Sequence, residues 1–324
     1  MRRLAGLIAI GTTLLLFLTA APARATASGR NGRIAFRRYF NTRHTRGSLF
    51  TINPDGTAER EVLHPGRTKV ATEPDWSPDG RWIVYNIWPH GDDNRSRIFT
   101  IHPNGHHRTY VDQSCTAPCL SDAFAQFSPD GRWLVFQREL GPSESQINVS
   151  AIFVMSADGT HVRQVTQPSA TGQEQQPFLD GGPTWSSDGR HLAFTRTKRS
   201  SERTALFTVR VNGADLRRIT SWRISPGQPD YSPDGRWIAF YAKDQSTVQL
   251  IHPSGRGRHV IANDPVSYSS LSFSPNGRKI TVGHRISDPG NPDIYTMNLD
   301  GTHVRDVTNT NGYESAPDWG PQPS

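Results

Sequence analysis

The chain has 324 residues, 34% of them hydrophobic and 20% charged, with a formal net charge of +7. That apolar share is enough to build a packed core and excludes an intrinsically disordered chain. The basic excess is dispersed rather than gathered into a stripe interleaved with aromatics, which argues against a nucleic-acid partner.

Residues 1–25 have the form of a secretory leader. Arg2 and Arg3 precede an apolar run over 4–20, and Ala23-Arg24-Ala25 fits the small-x-small cleavage pattern. Ala25-Thr26-Ala27 is a second cleavage candidate. The apolar run is long for a leader, so a retained anchor stays open. Removing Arg2, Arg3 and Arg24 with the leader lowers the net charge from +7 to about +4. The expected product is an exported protein, secreted or periplasmic, with one domain over 26–324 and no stable membrane insertion.

From residue 31 the chain repeats one short pattern six times: NGRIAF (31–36), WSPDGRWIVY (76–85), FSPDGRWLVF (127–136), WSSDGRHLAF (185–194), YSPDGRWIAF (231–240) and FSPNGRKITV (273–282). The glycines of these turns stand 42 to 58 residues apart, a spacing that points to a propeller or a comparable repeat array. In Ser77-Pro78-Asp79-Gly80 the proline presets φ, the aspartate suits the third turn position and the glycine accepts positive φ, so a hairpin turn is predicted. The apolar run that follows, Trp82 to Tyr85, reads as a strand covered on both faces.

A second turn pattern follows in each repeat, in LFTINPDGTAEREV (49–62), IFTIHPNGHHRTYV (98–111), IFVMSADGTHVRQV (152–165), LFTVRVNGADLRRI (206–219), VQLIHPSGRGRHVI (248–261) and IYTMNLDGTHVRDV (294–307). Each unit is therefore four antiparallel strands, and the expected fold is an all-β, six-bladed β-propeller. The first copy lacks a strand before it, and APDWGP (316–321) copies EPDWSP (73–78). The C-terminal strand is expected to join the N-terminal blade, closing the ring and removing exposed sheet edges.

The recurring aromatic-Ser-Pro-Asp-Gly-Arg/Lys turn, with Asp-Gly-Thr later in the unit, resembles the TolB-like propeller family over about residues 30–324. TolB itself carries an α/β domain ahead of its propeller, whereas here the first blade is expected directly after the leader. No G-x-S-x-G elbow of the kind used by propeller-bearing hydrolases occurs.

Cys115 and Cys119, the two cysteines of the chain, flank Ala117-Pro118. Four residues apart across a turn they can reach disulfide distance, and export supplies oxidising conditions. A metal or redox pair is the alternative, although metal motifs normally need further ligands.

Function is expected on one rim. The tight turns share one end of the blades and are nearly uniform in length. The other end carries unequal loops, among them RRYFNTRHTRG (37–47), WPHGDDNRSR (88–97) and TSWRISPGQP (220–229). Variable loops on a rigid frame are where binding usually resides. Tyr39, Phe40, Trp88, Trp222, Arg223 and Tyr313 are the candidate contacts, because aromatic and arginine side chains dominate binding hot spots. The plain alternative is that these rings cap the blades and the arginines are solvated.

A second candidate lies on the inner strands. The residue before each strand's aromatic is Asp75, Gln126, Thr184, Asp230, Ser272 or Asp318. If these line the axial channel, Asp75, Asp230 and Asp318 make an acidic throat for a cation or a basic peptide end, or else they cap backbone groups. No catalytic, cofactor or metal motif emerges from the twelve histidines. The reading is a monomeric, non-catalytic binding propeller of the cell envelope or exterior, with a protein or glycan partner. The runner-up is a carbohydrate-active lyase or hydrolase at the channel mouth, where His90 and His284 could serve.

Overall fold

The computed structural model describes residues 28–89, 95–112, 114–116, 118–141, 149–168, 178–242, 246–263, 268–285 and 290–323. The leader, His90 and the 91–94 segment lie outside them. Among the described residues all regular structure is β-strand.

Strands β1 (Asn31–Tyr39), β2 (Gly47–Ile52) and β3 (Arg60–Leu63) pair antiparallel in sequence order. A full four-strand set follows in β4 (Lys69–Trp76), β5 (Ile83–Pro89), β6 (Arg97–Ile101) and β7 (Thr109–Tyr110). The same order recurs in β8 (Cys119–Phe127), β9 (Trp133–Leu140), β10 (Val149–Ser156) and β11 (Arg163–Gln164). Next come β12 (Leu179–Trp185), β13 (His191–Thr197), β14 (Thr204–Arg210) and β15 (Arg217–Arg218). The pattern continues in β16 (Asp230–Tyr231), β17 (Ile238–Ala242), β18 (Thr247–Ile251) and β19 (His259–Asn263). After it come β20 (Tyr268–Phe273), β21 (Lys279–His284), β22 (Asp293–Asn298) and β23 (Arg305–Asp306). The last strand, β24 (Tyr313–Pro321), pairs antiparallel with β1, Ala35 opposite Asp318 and Tyr39 opposite Tyr313.

Local chemistry makes the turns. Ser77 Oγ donates to Asp79 Oδ1 at 2.6 Å and accepts from Trp82 N at 2.9 Å, while Asp79 Oδ1 also accepts from Arg81 N at 3.0 Å. Gly80 closes the turn with φ of 67°, a value glycine reaches without steric cost. The same box stands at Ser128/Asp130, Ser186/Asp188, Ser232/Asp234 and, with asparagine, at Ser274/Asn276.

The core lies between sets rather than within them. Tyr85, Ile83 and Trp76 pack with Ala35, Leu49 and Val62, and Leu134, Phe136 and Met155 with Val84 and Ile98. Ile34, Phe36, Phe50 and Ile52 in turn share a cluster with Ile294, Val307 and Trp319. Arginines on three outer strands tie their sets to the next turn: Arg163 donates to Val211 O at 2.7 Å, Arg217 to Pro253 O at 2.8 Å and Arg305 to Asp55 O at 2.6 Å.

One cross-strand position below the loops is solved three ways. Arg38 faces Glu314, Arg138 faces Asp122 and Arg196 faces Asp180. Asp122 accepts from Arg138 Nε at 2.7 Å and Nη2 at 2.6 Å, and Asp180 from Arg196 at 2.6 and 2.8 Å. Each guanidinium also lies over phenylalanine rings, Arg138 at 5.2 Å from Phe136 and 5.1 Å from Phe153. The equivalent pairs elsewhere are Ala71 with Ile87, Pro226 with Ala242, and Tyr268 stacked on His284 at 4.5 Å.

Beside Asp122, Cys115 and Cys119 are joined by a disulfide with Cα atoms 5.2 Å apart. Asp112 is fully buried there. Burial, followed by the charge of Asp122, pushes its pKa up to about 8.

Two outcomes follow from these contacts. Deleting residues 316–324 removes most of β24, including Trp319, which is 3% exposed. Burial of one such ring is worth about 1.5–3 kcal/mol, so a large fall in melting temperature or aggregation is expected. Unchanged melting and monodispersity would refute the role given to β24. For Asp112, folding raises the pKa from 3.8 to about 8, so the native state is penalised increasingly as pH climbs through that interval. Asp112→Asn removes the penalty while keeping the shape and a donor. Urea unfolding should find the variant about 1–3 kcal/mol more stable than wild type at the upper end of the interval and nearly equal at the lower end. The opposite trend would show that Asp112 stays ionised in the fold.

Candidate functional site

The first strand of each set carries a short polar side chain just before its aromatic. Asp75, Gln126, Thr184, Asp230, Ser272 and Asp318 line two small connected-in-sequence hollows, of about 50 Å³ and about 20 Å³. Volumes this small fit one or a few waters. The side chains also reach sideways. Asp318 Oδ2 accepts from Trp76 N at 2.8 Å, Asp75 Oδ2 from Phe127 N at 2.8 Å, and Asp230 Oδ2 from Phe273 N at 2.7 Å. Ser272 Oγ donates to Asp318 Oδ1 at 2.8 Å, and Thr184 Oγ1 donates to Asp230 Oδ1 at 3.3 Å. Burial, followed by the charges of Asp318 and Asp230, raises the Asp75 pKa well above its ordinary value. Burial likewise pushes Asp318 up to about 6, against the hydrogen bonds it accepts.

Two residues before the acids, the inner strands bulge. Glu73, Phe124, Gly182 and Ala316 take φ of 50°, 55°, 55° and 53°, and register shifts interrupt the ladders there. For the three non-glycine residues this left-handed backbone costs about 1 kcal/mol each. All four line the larger hollow. Gln228 Nε2 reaches Glu73 Oε2 at 3.4 Å, linking β4 to the segment that leads into β16.

Glu73 also connects this mouth to the loops. Arg37 lies 3.8 Å from Glu73 and donates to Ser315 Oγ at 2.6 Å and to Thr72. Its guanidinium sits 4.4 Å from the Tyr39 ring centroid. Tyr39 stacks on His44 at 4.5 Å, and His44 contacts Tyr313 at 4.4 Å. Desolvation, then Arg37, lowers the His44 pKa, so this ring is neutral at pH 7 and stacks as an uncharged surface. Directly beneath, Arg38 bridges Glu314 at 2.5 Å and Glu59 at 2.7 Å and holds the ends of β1 and β24 together.

The remaining sequence candidates lie apart from this cluster. Phe40, 42% exposed, covers Phe50 and His64 and carries Arg46 at 5.3 Å. Trp222 is half-buried, stacked on Phe178 at 6.0 Å and tilted against Phe207 at 5.8 Å, with Lys198 5.1 Å from its ring. Arg223 beside it is exposed, and Trp88 is half-buried in β5 opposite Val70. His284 is buried between Tyr268 and Tyr295. Sequence reasoning missed Arg37, His44, Glu73 as a bridge, Gln228 and the Arg38 pair. A signal for the buried arginines was present in the repeated Phe-x-Arg of Phe36-Arg37-Arg38, Phe136-Gln137-Arg138 and Phe194-Thr195-Arg196.

Comparison with known proteins places this geometry. An uncharacterized protein of Agrobacterium fabrum is 24% identical over 260 residues, covering 76% of this chain and 80% of that protein. The Tol-Pal system protein TolB of an Anaeromyxobacter strain is 28% identical over 146 residues, 42% of this chain but only 26% of its own length. The crystal structure of TolB from Acinetobacter baumannii superposes with a TM-score of 0.70 at 19% identity, covering 90% of this chain and 67% of that one; at that identity the likeness is one of fold. The family model of the TolB beta propeller domain matches residues 27–254, well over half of the chain, and the protein therefore belongs to the TolB β-propeller family.

Proposed function

We propose that this chain is an exported, non-catalytic binding propeller of the cell envelope or exterior, contacting a protein or glycan through its rim of unequal loops. In this reading residues 26–324 form one monomeric domain of six four-stranded blades, with β24 closing the ring against β1. No helix among the described residues is long and apolar enough to cross a membrane.

The observation that carries the reading is a continuous path of side chains. Tyr313, His44 and Tyr39 form a partly exposed aromatic surface, and Arg37, Glu73 and Gln228 lead from it to the channel mouth. Rings held by stacking on one another and by Arg37 over Tyr39 lose little conformational entropy on binding. The neutral imidazole lets the surface present flat faces to a sugar ring or to an apolar side chain.

A pull-down from envelope extract with the mature protein should recover the partner. Alanine substitutions at Tyr39, Tyr313, Trp88, Trp222 and Arg223 are then titrated against it, with Asp300→Asn on the turn rim as control. An anchor residue typically contributes more than about 2 kcal/mol, roughly thirtyfold in affinity. Tyr39 and Tyr313 should show losses of that size with unchanged melting. If only the Asp300 variant weakens binding, the binding face has been assigned to the wrong rim.

A further inference from the structure

The rim of tight turns holds a groove of about 480 Å³ between the β4–β7 and β8–β11 sets. Its floor is apolar, with Trp82, Phe127 and Pro129. Its walls are Asp79 and Asp130, from successive Ser-Pro-Asp-Gly turns, and Asp158 from the turn between β10 and β11; among the described residues no lysine, arginine or histidine lines it. The comparable hollows are electrically mixed. Between the β12–β15 and β16–β19 sets, aspartates stand beside Arg217 and His191, and next to β1 the hollow pairs Asp55 with Arg33. His102 packs edge-on to Trp82 at 3.9 Å, with its pKa lowered by desolvation, so it brings no charge at neutral pH. A groove lined by three aspartates thus sits on a chain whose overall charge is positive.

Turn formation does not require this charge. Asp79 and Asp130 each use Oδ1 to accept from a serine hydroxyl at 2.6 Å and from a backbone N at 3.0 and 3.1 Å. Asp158 Oδ1 accepts from Thr160 N at 3.0 Å and Oγ1 at 2.7 Å. The second oxygen takes no part in these bonds. Elsewhere in the chain a neutral amide does the same work. Asn276 accepts from Ser274 Oγ at 2.9 Å and Arg278 N at 3.0 Å, and Asn104 and Asn212 accept from the backbone two residues on at 3.0 and 3.1 Å. All three aspartates of the groove are exposed, so their charge is available to a ligand.

We propose that this groove docks an extended segment of a partner protein that carries an arginine flanked by aliphatic residues. The aliphatic side chains cover Trp82 and Phe127, and the guanidinium meets the three carboxylates with charge-assisted hydrogen bonds. The groove lies on the opposite rim from Tyr39 and Tyr313, so it stands or falls independently of the function proposed above.

The probe is an acetylated, amidated Gly-Leu-Arg-Leu-Gly peptide, with Gly-Leu-Glu-Leu-Gly as its counterpart. Both are titrated into isotope-labelled mature protein while the Trp82 indole N–H resonance, assigned by its loss in Trp82→Phe, is followed. The arginine peptide should move that resonance saturably, and more weakly as salt rises; the glutamate peptide should leave it in place. The triple variant Asp79→Asn, Asp130→Asn, Asp158→Asn keeps every turn acceptor and should bind at least about tenfold more weakly with unchanged melting. An unmoved resonance, an equal response to the glutamate peptide, or a triple variant that binds within about twofold of wild type would overturn the proposal. If the triple variant fails to fold, the peptide pair and the salt dependence still decide.

Discussion

Neighbouring four-strand sets exchange almost no ladder hydrogen bonds; among the described residues the direct bridges are Gly47 with Val70 and Ser150 with Leu179. At three positions the side chain before the inner-strand aromatic stitches one set to the next. Asp318 does so to Trp76, Asp75 to Phe127 and Asp230 to Phe273, each by accepting a backbone N–H that would otherwise be buried unpaired at a cost of about 1–3 kcal/mol. The constraint fixes the chemistry of the axis. An acceptor is needed, it must be short, and a carboxylate is the strongest available. Burial raises both Asp75 and Asp318, and at Asp75 the charges of Asp318 and Asp230 add to it. Ser272 and Thr184 provide relief by donating to Asp318 and Asp230. The run of acids on the inner strands is thus first a consequence of joining sets edge to edge, and any ligand there has to compete with those bonds.

The strand ends nearer the loops obey a looser rule. At the shared cross-strand position, Ala71 with Ile87, Tyr268 with His284 and Arg138 with Asp122 are all accommodated. An ion pair is not needed to fill that space, because buried pairs offset much of their attraction by desolvation. The arginine adds geometric specification: it fixes the acid in two bonds and spreads its stem and guanidinium over phenylalanine rings. Where the pair is Arg38 with Glu314, the next residues along β1 and β24 are Tyr39 and Tyr313, so the pair clamps the strand ends that carry the rings of the proposed contact surface.

The all-β fold and its repeat were legible because the information is local. Ser77, Asp79 and Gly80 make their turn within a few residues, and the same bonds recur wherever the same letters do. The pairing of β24 with β1 was also readable, since EPDWSP has its copy in APDWGP. The site was less so. Tyr39 and Tyr313 sit at opposite ends of the chain and meet only because β1 and β24 share a register. Glu73 and Gln228 come from sets far apart in sequence and meet only in the packed fold, which no spacing announces. Trp222 looked like a free contact in sequence, yet most of its faces are taken by Phe178, Phe207 and Lys198. A single arginine in a β-rich run reads as solvated, and only the acid opposite it, contributed by another strand, shows otherwise.

A repeat protein separates what geometry demands from what it leaves free, since each demand is posed several times in one chain. The first turn asks for an oxygen acceptor at its third position, and both aspartate and asparagine satisfy it, as Asp79 and Asn276 show. Charge at that position is therefore a free variable. The inner-strand position asks for a polar group and takes Asp, Gln, Thr or Ser. The cross-strand position asks only for volume. Functional differences between one face of this molecule and another must be written in those free variables and in the loops, because the turns, the stitching bonds and the shared apolar clusters are already committed to holding the sets together.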